Sequence, residues 1–259
     1  MHDTLRYFKR DPIFRQFYQD DLTFSMMYFY GENFMLPFSH DEVVHGKSPM
    51  LYKMPGNDFQ KFSNLRLLYA YFFTHPGTKL LFMGDEFGAT NEWNYKTELQ
   101  WDLPNLVSHG GLQYCVQKLN ELYRNEPALY EKQFYTEGFE WLDLTKRDAC
   151  VISYRRKGLL PENDIVILLN LTGAVYENWE IELYGKTTWK EIFNTDNIEY
   201  WGSGNFDNAA LRIEPVKAET MEEIFTGTED APLENAQDKI PKNCKVTVSL
   251  PGLSAIILK

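Results

Sequence analysis

Two short apolar runs that break abruptly into charged groups constrain this chain more than any other feature. Phe34-Met35-Leu36 leads into Pro37-Phe38-Ser39-His40-Asp41-Glu42-Val43-Val44-His45-Gly46-Lys47, and Lys79-Leu80-Leu81-Phe82-Met83 leads into Gly84-Asp85-Glu86-Phe87-Gly88. A buried strand that delivers polar side chains at its carboxy end is how a (β/α)8 barrel presents its chemistry. The stretch Asn33 to Ser39 is too brief for a helix and reads as a strand. Between the two runs, Asn57-Asp58-Phe59-Gln60 is a capping-box variant. After it Phe59, Phe62, Leu65, Leu68, Tyr69, Phe72 and Phe73 recur at helical spacing until His75-Pro76-Gly77 stops the helix. Leu112, Cys115, Val116, Leu119, Leu122 and Tyr123 form a second stripe, closed by Asn125-Glu126-Pro127. Upstream, Asp11-Pro12 predicts a cap and first helical position, with one or two short helices before Gly31.

Strand, helix, strand, helix is a βαβα unit, and its parallel strands must be covered on both faces. Two strands cannot close such a core, so residues 1–133 are expected to be loosely ordered alone, with the helix face from Phe59 to Phe73 uncovered. The polar stretch Ala89 to Gly110, with Trp93 and Trp101, reads as a long loop, and long loops in compact domains are usually functional. Beyond residue 133 the pattern changes to short β-rich segments: Cys150 to Tyr154, Ile165 to Leu169, Trp189 to Phe193, Lys245 to Leu250 and Ser254 to Lys259. Turn residues separate them, so residues 134–259 are predicted to form an antiparallel β-sandwich that closes its own core. Ala218 to Asp238 is acidic and weakly patterned, as a solvated loop would be.

The 26 basic and 37 acidic side chains leave a formal charge of −11. That balance argues against nucleic acid, whose binding needs clustered Lys and Arg, and favours a neutral ligand. Aromatic residues make up 15% of the chain, and rings of this kind serve both core packing and stacking on sugar faces. Cys115, Cys150 and Cys244 are too few and too scattered for a disulfide framework or a metal clip, which points to a reducing compartment. No run approaches the roughly 18 apolar residues of a membrane span, and Met1-His2-Asp3-Thr4-Leu5-Arg6 has no signal-peptide character, so no membrane contact and a cytoplasmic location are expected.

His40, Asp41 and Glu42 stand where a barrel places catalytic groups. Carboxylates beside an imidazole suit recognition of sugar hydroxyls and stabilisation of an oxocarbenium-like transition state. A zinc site is the main rival, but the two histidines of His40-Asp41-Glu42-Val43-Val44-His45 are five apart and follow a strand, not the H-E-x-x-H helix that zinc proteases need. No serine lies in a G-x-S-x-G elbow, so a nucleophilic triad has less support still.

Several segments resemble the bacterial glycogen-branching enzymes of the α-amylase superfamily. They are Leu36 to Pro55 (LPFSHDEVVHGKSPMLYKMP), Lys79 to Gly88 (KLLFMGDEFG), Glu92 to Asn94 (EWN), Glu191 to Asn205 (EIFNTDNIEYWGSGN) and Leu250 to Ile257 (LPGLSAII). The opening MHDTLRYF resembles the stretch after that family's sixth barrel strand. The resemblance implies a C-terminal part of a (β/α)8 barrel, its seventh and eighth strands in residues 1–133, followed by a β-sandwich in residues 134–259. It implies a retaining transglycosidase that cleaves α-1,4-glucan and forms α-1,6 branches in glycogen, with no cofactor and no metal. In the family motif the His-Asp pair becomes His40, a sugar-binding neighbour, and Asp41, the transition-state stabiliser. Glu42, Trp93 and Trp101 are then candidate substrate contacts. The nucleophilic Asp and the acid/base Glu belong to upstream strands, so the chain alone is expected to be inactive. Glu86 is expected to be structural, and Asp85 stands where relatives can have Asn. The alternatives are another α-glucan-active relative, debranching or trehalose-releasing, or a glucan-binding module without catalysis.

Overall fold

A computed structural model describes residues 1–216 and 243–259. The stretch Ala218 to Asp238, expected to be a solvated loop, lies outside the described residues. Helix α1 (His2–Phe8) is followed by a 3-10 turn over Pro12–Phe17, capped by the Asp11 carboxylate accepting from the Ile13 amide, and by α2 (Asp20–Thr23). Strand β1 (Met35–Phe38) buries Leu36 and Phe38 and exposes Met35 and Pro37. After α3 (Met50–Lys53) comes α4 (Asp58–Thr74), which opens with the predicted capping box: Asn57 accepts from the Gln60 amide, and Gln60 accepts from that of Asn57. The helix ends at His75, and Gly77 turns the chain at φ 114° into β2 (Thr78–Leu81). A Cβ there would meet Leu36 Cγ at 2.9 Å, so only glycine fits against β1. Strands β1 and β2 are parallel, Met35 opposite Thr78 and Phe38 opposite Leu81. Helix α5 (Val107–Asn125) buries the predicted stripe from Leu112 to Leu122. It starts earlier than expected, so the long loop runs only from Ala89 to Leu106 and includes a 3-10 turn over Leu103–Asn105.

The rest of the described chain forms two antiparallel sheets. Strands β3 (Phe139–Asp143), β4 (Val151–Arg156), β5 (Ile165–Asn170), β7 (Glu191–Asn194) and β10 (Ser254–Leu258) make one, in the order β3-β4-β5-β10-β7. Strands β6 (Tyr176–Leu183), β8 (Arg212–Pro215) and β9 (Cys244–Leu250) make the other, in the order β6-β9-β8. Val151, Val166, Leu168, Ile256 and Leu258 meet Ile181, Val246, Val248 and Leu250 between them.

The sandwich closes the core between its two sheets, and its larger sheet carries a second apolar face that the smaller sheet does not cover. Every residue of β4, β5 and β10 is buried, because the larger sheet is covered on both faces. Its second face, with Ile152, Tyr154, Ile167, Leu169 and Ile257, joins Leu65, Leu68, Tyr71 and Phe72 of α4 in one continuous core. This explains why IVILLN and SAIIL read as unbroken apolar runs, whereas CKVTVSL in β9 alternates. The uncovered face expected on α4 is therefore corrected. Phe62 to Thr74 are all buried, and Phe59 alone of the predicted stripe is exposed.

Three buried arginines staple the layers with backbone carbonyls as partners. Arg15 donates to Phe8 O at 2.9 Å, Leu171 O at 3.0 Å and Asn64 Oδ1 at 2.8 Å. Arg66 on α4 donates to Thr195 O at 2.8 Å. Arg156 on β4 donates to Thr74 O at the end of α4 and to Leu129 O at 3.1 Å. Burial pushes the Arg15 and Arg156 guanidinium groups down to about 10, since the charge is held without a carboxylate beside it.

Candidate active site

The parallel pair fixes the site. Phe38, fully buried and 5.1 Å from the Phe72 ring, anchors the end of β1, and the Phe82 amide donates to Phe38 O at 2.9 Å to bring the end of β2 alongside. Beyond Ser39 the chain turns through a 3-10 segment, His40–Glu42, closed by the Val43 amide on His40 O. Two adjacent side chains are thereby pushed into solvent at the carboxy end. His40 Nε2 lies 3.2 Å from Asp41 Oδ1, with the side chains 50% and 72% exposed. The His40 ring also meets Phe82 at 6.0 Å and Trp93 edge-on at 5.7 Å. Trp93 comes from the long loop, held there by its amide donating to Val43 O at 2.8 Å and by its perpendicular packing on Phe82.

His40, Asp41 and Trp93 are thus one cluster: a carboxylate acceptor, an imidazole and an indole wall. Glu42 and Trp101, the other candidate substrate contacts, are not part of it. Glu42 acts electrostatically on the Met1 amine and Lys53. Trp101 lies 5.7 Å from Phe87. Glu86 braces its own turn, accepting from the Gly84 amide at 2.7 Å. Asp85 is buried with Oδ2 unpartnered, so desolvation, helped by the Glu86 charge, raises its carboxyl well above the usual range.

Sequence reasoning missed Glu92. Its carboxylate accepts from the Gly46 amide at 3.0 Å and from the Ser48 amide at 2.9 Å, and lies 3.3 Å from His45 Nδ1. The amides of Ser48 and Gly46 hold this carboxyl below the usual range. One side chain therefore ties the segment after Asp41 to the loop that holds Trp93. Gly46 at φ 84° and Ser48 at φ 64° shape the amide nest that receives it. The sequence signals were its place in the Glu92-Trp93-Asn94 segment and Gly46 inside a charged loop, and neither names the partner of the other. His45 pairs with Glu92 and His40 with Asp41, so the two histidines do not converge, and among the described residues no group of three or more His, Cys, Asp or Glu could hold a metal ion. Among those residues no helix is long and apolar enough to cross a membrane.

Residues 141–259 match the family model described as the C-terminal all-β domain of alpha amylase. The type I pullulanase of Bacillus subtilis, solved with maltose, superposes with a TM-score of 0.57 at 16% identity, covering 99% of this chain and 34% of that one, which speaks to fold alone. Residues 141–259 are thus classed with the C-terminal all-β domains of the α-amylases. Over its whole length the chain is 43% identical to the 1,4-alpha-glucan branching enzyme GlgB of Aquifex aeolicus, covering 38% of that protein. Over 83% of its length it is 48% identical to the enzyme of the same name from Marinobacter nauticus, covering 34% of it. The chain belongs to the 1,4-α-glucan branching enzyme family, and it spans little more than a third of the length of these relatives.

Proposed function

We propose that the chain is the glucan-handling C-terminal portion of a cytoplasmic branching enzyme, with residues 1–133 completing a (β/α)8 barrel and residues 134–259 forming the sandwich domain. Asp41 stabilises the oxocarbenium-like transition state of the transferred glucosyl unit, and His40 donates to a hydroxyl of the same sugar. Trp93 offers its face to the ring, with Glu42 and Trp101 reaching glucan further from the bond that breaks. The nucleophilic Asp and the acid/base Glu come from barrel strands in other parts of the longer protein. There the Glu protonates the departing 4-oxygen as the Asp opens the α-1,4 bond to give a glycosyl-enzyme ester, and the 6-hydroxyl of a second chain then displaces the Asp carboxylate while its proton passes back to the Glu.

The observation that supports this reading best is the parallel β1–β2 pair, which brings His40, Asp41 and Trp93 to one strand end in a chain akin throughout to branching enzymes. Exposed apolar side chains in or just after that pair, Met35 at 53% and Met83 at 55%, suit packing against further barrel strands. The test is to incubate the chain and the longer enzyme separately with amylose, following the iodine-complex spectrum and α-1,6 linkages. The longer enzyme should form branches and the chain alone none. Branching by the chain alone would overturn the division of catalytic groups.

A further inference from the structure

We propose that the open mouth of the β-sandwich, between edge strands β3 and β6, is a second carbohydrate site that binds a stretch of α-glucan away from the strand-end cluster. The groove measures about 410 Å3, and its lining includes Asp143, Lys146, Ser153, Trp179, Glu180 and Lys245. That is a common size for a ligand pocket. Both flanking strands break register where they meet it. In β3 the shift falls between Trp141 and Asp143, which sets Asp143 opposite Ser153; in β6 it falls between Tyr176 and Trp179. Bulges of this kind re-aim side chains, and here both aim at the same opening.

Trp179 is only partly buried and lies 5.2 Å from the Tyr176 ring, so the wall of the groove is aromatic. Such a wall suits the C–H face of a pyranose. Ser153 is 3% exposed, lines the groove, and its hydroxyl has no hydrogen bond among the described residues. Its Oγ is not among the buried unpartnered polar atoms, so it meets solvent in the groove, where a sugar hydroxyl can take the place of water. The Lys146 ammonium sits 4.6 Å over the Trp179 ring, but its side chain is 48% exposed and 3.7 Å from Asp143, a long ion pair. It can swing from the ring to a sugar hydroxyl when the ring is taken. Lys245 pairs with Glu180 at 2.9 Å and Lys146 with Asp143, which leaves Glu182 as the one lining charge without an ion pair among the described residues and disfavours an anionic ligand. A neutral polyhydroxylated ligand fits this balance. The choice of α-glucan among such ligands rests on the function proposed above.

The test uses the isolated chain, whose six tryptophans give separable indole N–H resonances in 15N spectra. Titrate with maltoheptaose and, in parallel, with cellohexaose, assigning Trp179 by Trp179→Phe and Trp93 by Trp93→Phe. The Trp179 resonance should shift saturably with maltoheptaose, and Trp179→Leu should weaken that binding about tenfold or more. The wild-type resonance reports the site even if the Leu variant folds poorly. A shift at Trp93 without one at Trp179 would overturn the groove while leaving the proposed function standing. A response at Trp179 to cellohexaose but not maltoheptaose would overturn α-glucan as occupant, and no shift with either sugar would overturn the site.

Discussion

Arg156→Met asks whether the helical layer and the sheets are one folding unit. Arg156 is fully buried on β4 and reaches out of the sandwich to Thr74 O at the end of α4, to Leu129 O at 3.1 Å and to Gly138 O at 3.4 Å. Methionine keeps most of the volume but none of the donors. Gly138 O retains the Lys157 amide at 3.0 Å, so the damage falls on the carbonyls of Thr74 and Leu129. Stranding two buried acceptors costs about 1–3 kcal/mol each. Relief of the guanidinium's own burial, which lowers its pKa to about 10, returns part of that. A net loss of about 3 kcal/mol follows. Urea unfolding, followed by tryptophan fluorescence and far-UV circular dichroism, should show one transition by both probes, shifted together in the variant. A loss under about 1 kcal/mol, or a fluorescence transition that moves while the circular dichroism transition stays, would refute a shared core.

His75 is buried between Ser25 Oγ at 3.1 Å and Pro76 O at 2.8 Å, and desolvation pushes its pKa down to about 3. The folded state keeps it neutral while the unfolded state binds a proton below about pH 6.5, so its contribution is intact above that pH and falls by about 1.4 kcal/mol per unit as pH drops towards 3; His75→Gln should flatten the measured stability slope in that window, and an unchanged slope would count against it. Glu92→Ala should release the segment after Asp41, so the Gly46 and Ser48 amides should exchange with deuterium markedly faster while α4 amides keep their rates; equal protection in the variant would remove Glu92 from its tethering role.

Much of the site was legible because its signals are local. The capping box at Asn57, the stop at His75-Pro76-Gly77 and the polar break after Phe38 each depend on neighbours a few residues away, and each stands where expected. What the sequence hid are partnerships between distant segments. Continuous burial of β5 and β10 could have been read from IVILLN and SAIIL as a sheet covered on both faces, but nothing local says that α4 supplies the second cover. The buried arginines were hidden likewise, since Arg66 and Arg156 sit in segments that read as surface-compatible until their carbonyl partners 129 and 82 residues away are known. Glu92 belongs to the same class, with amide partners 44 and 46 residues earlier. Trp93 and Trp101 looked equivalent as loop indoles, and only the Trp93 amide bond to Val43 O and the Trp101 contact with Phe87 separate them.

The most direct test of the account is the kinetics of Asp41→Asn in the complete branching enzyme, with glucan affinity measured on the same preparation. The carboxylate stands exposed at the strand end, 3.2 Å from His40, and its proposed work is done where positive charge develops at the anomeric carbon. Turnover should fall by about two to three decades, equivalent to about 3–4 kcal/mol, with glucan affinity little changed. Near-normal turnover, or a loss explained entirely by weaker glucan binding, would contradict the role assigned to Asp41.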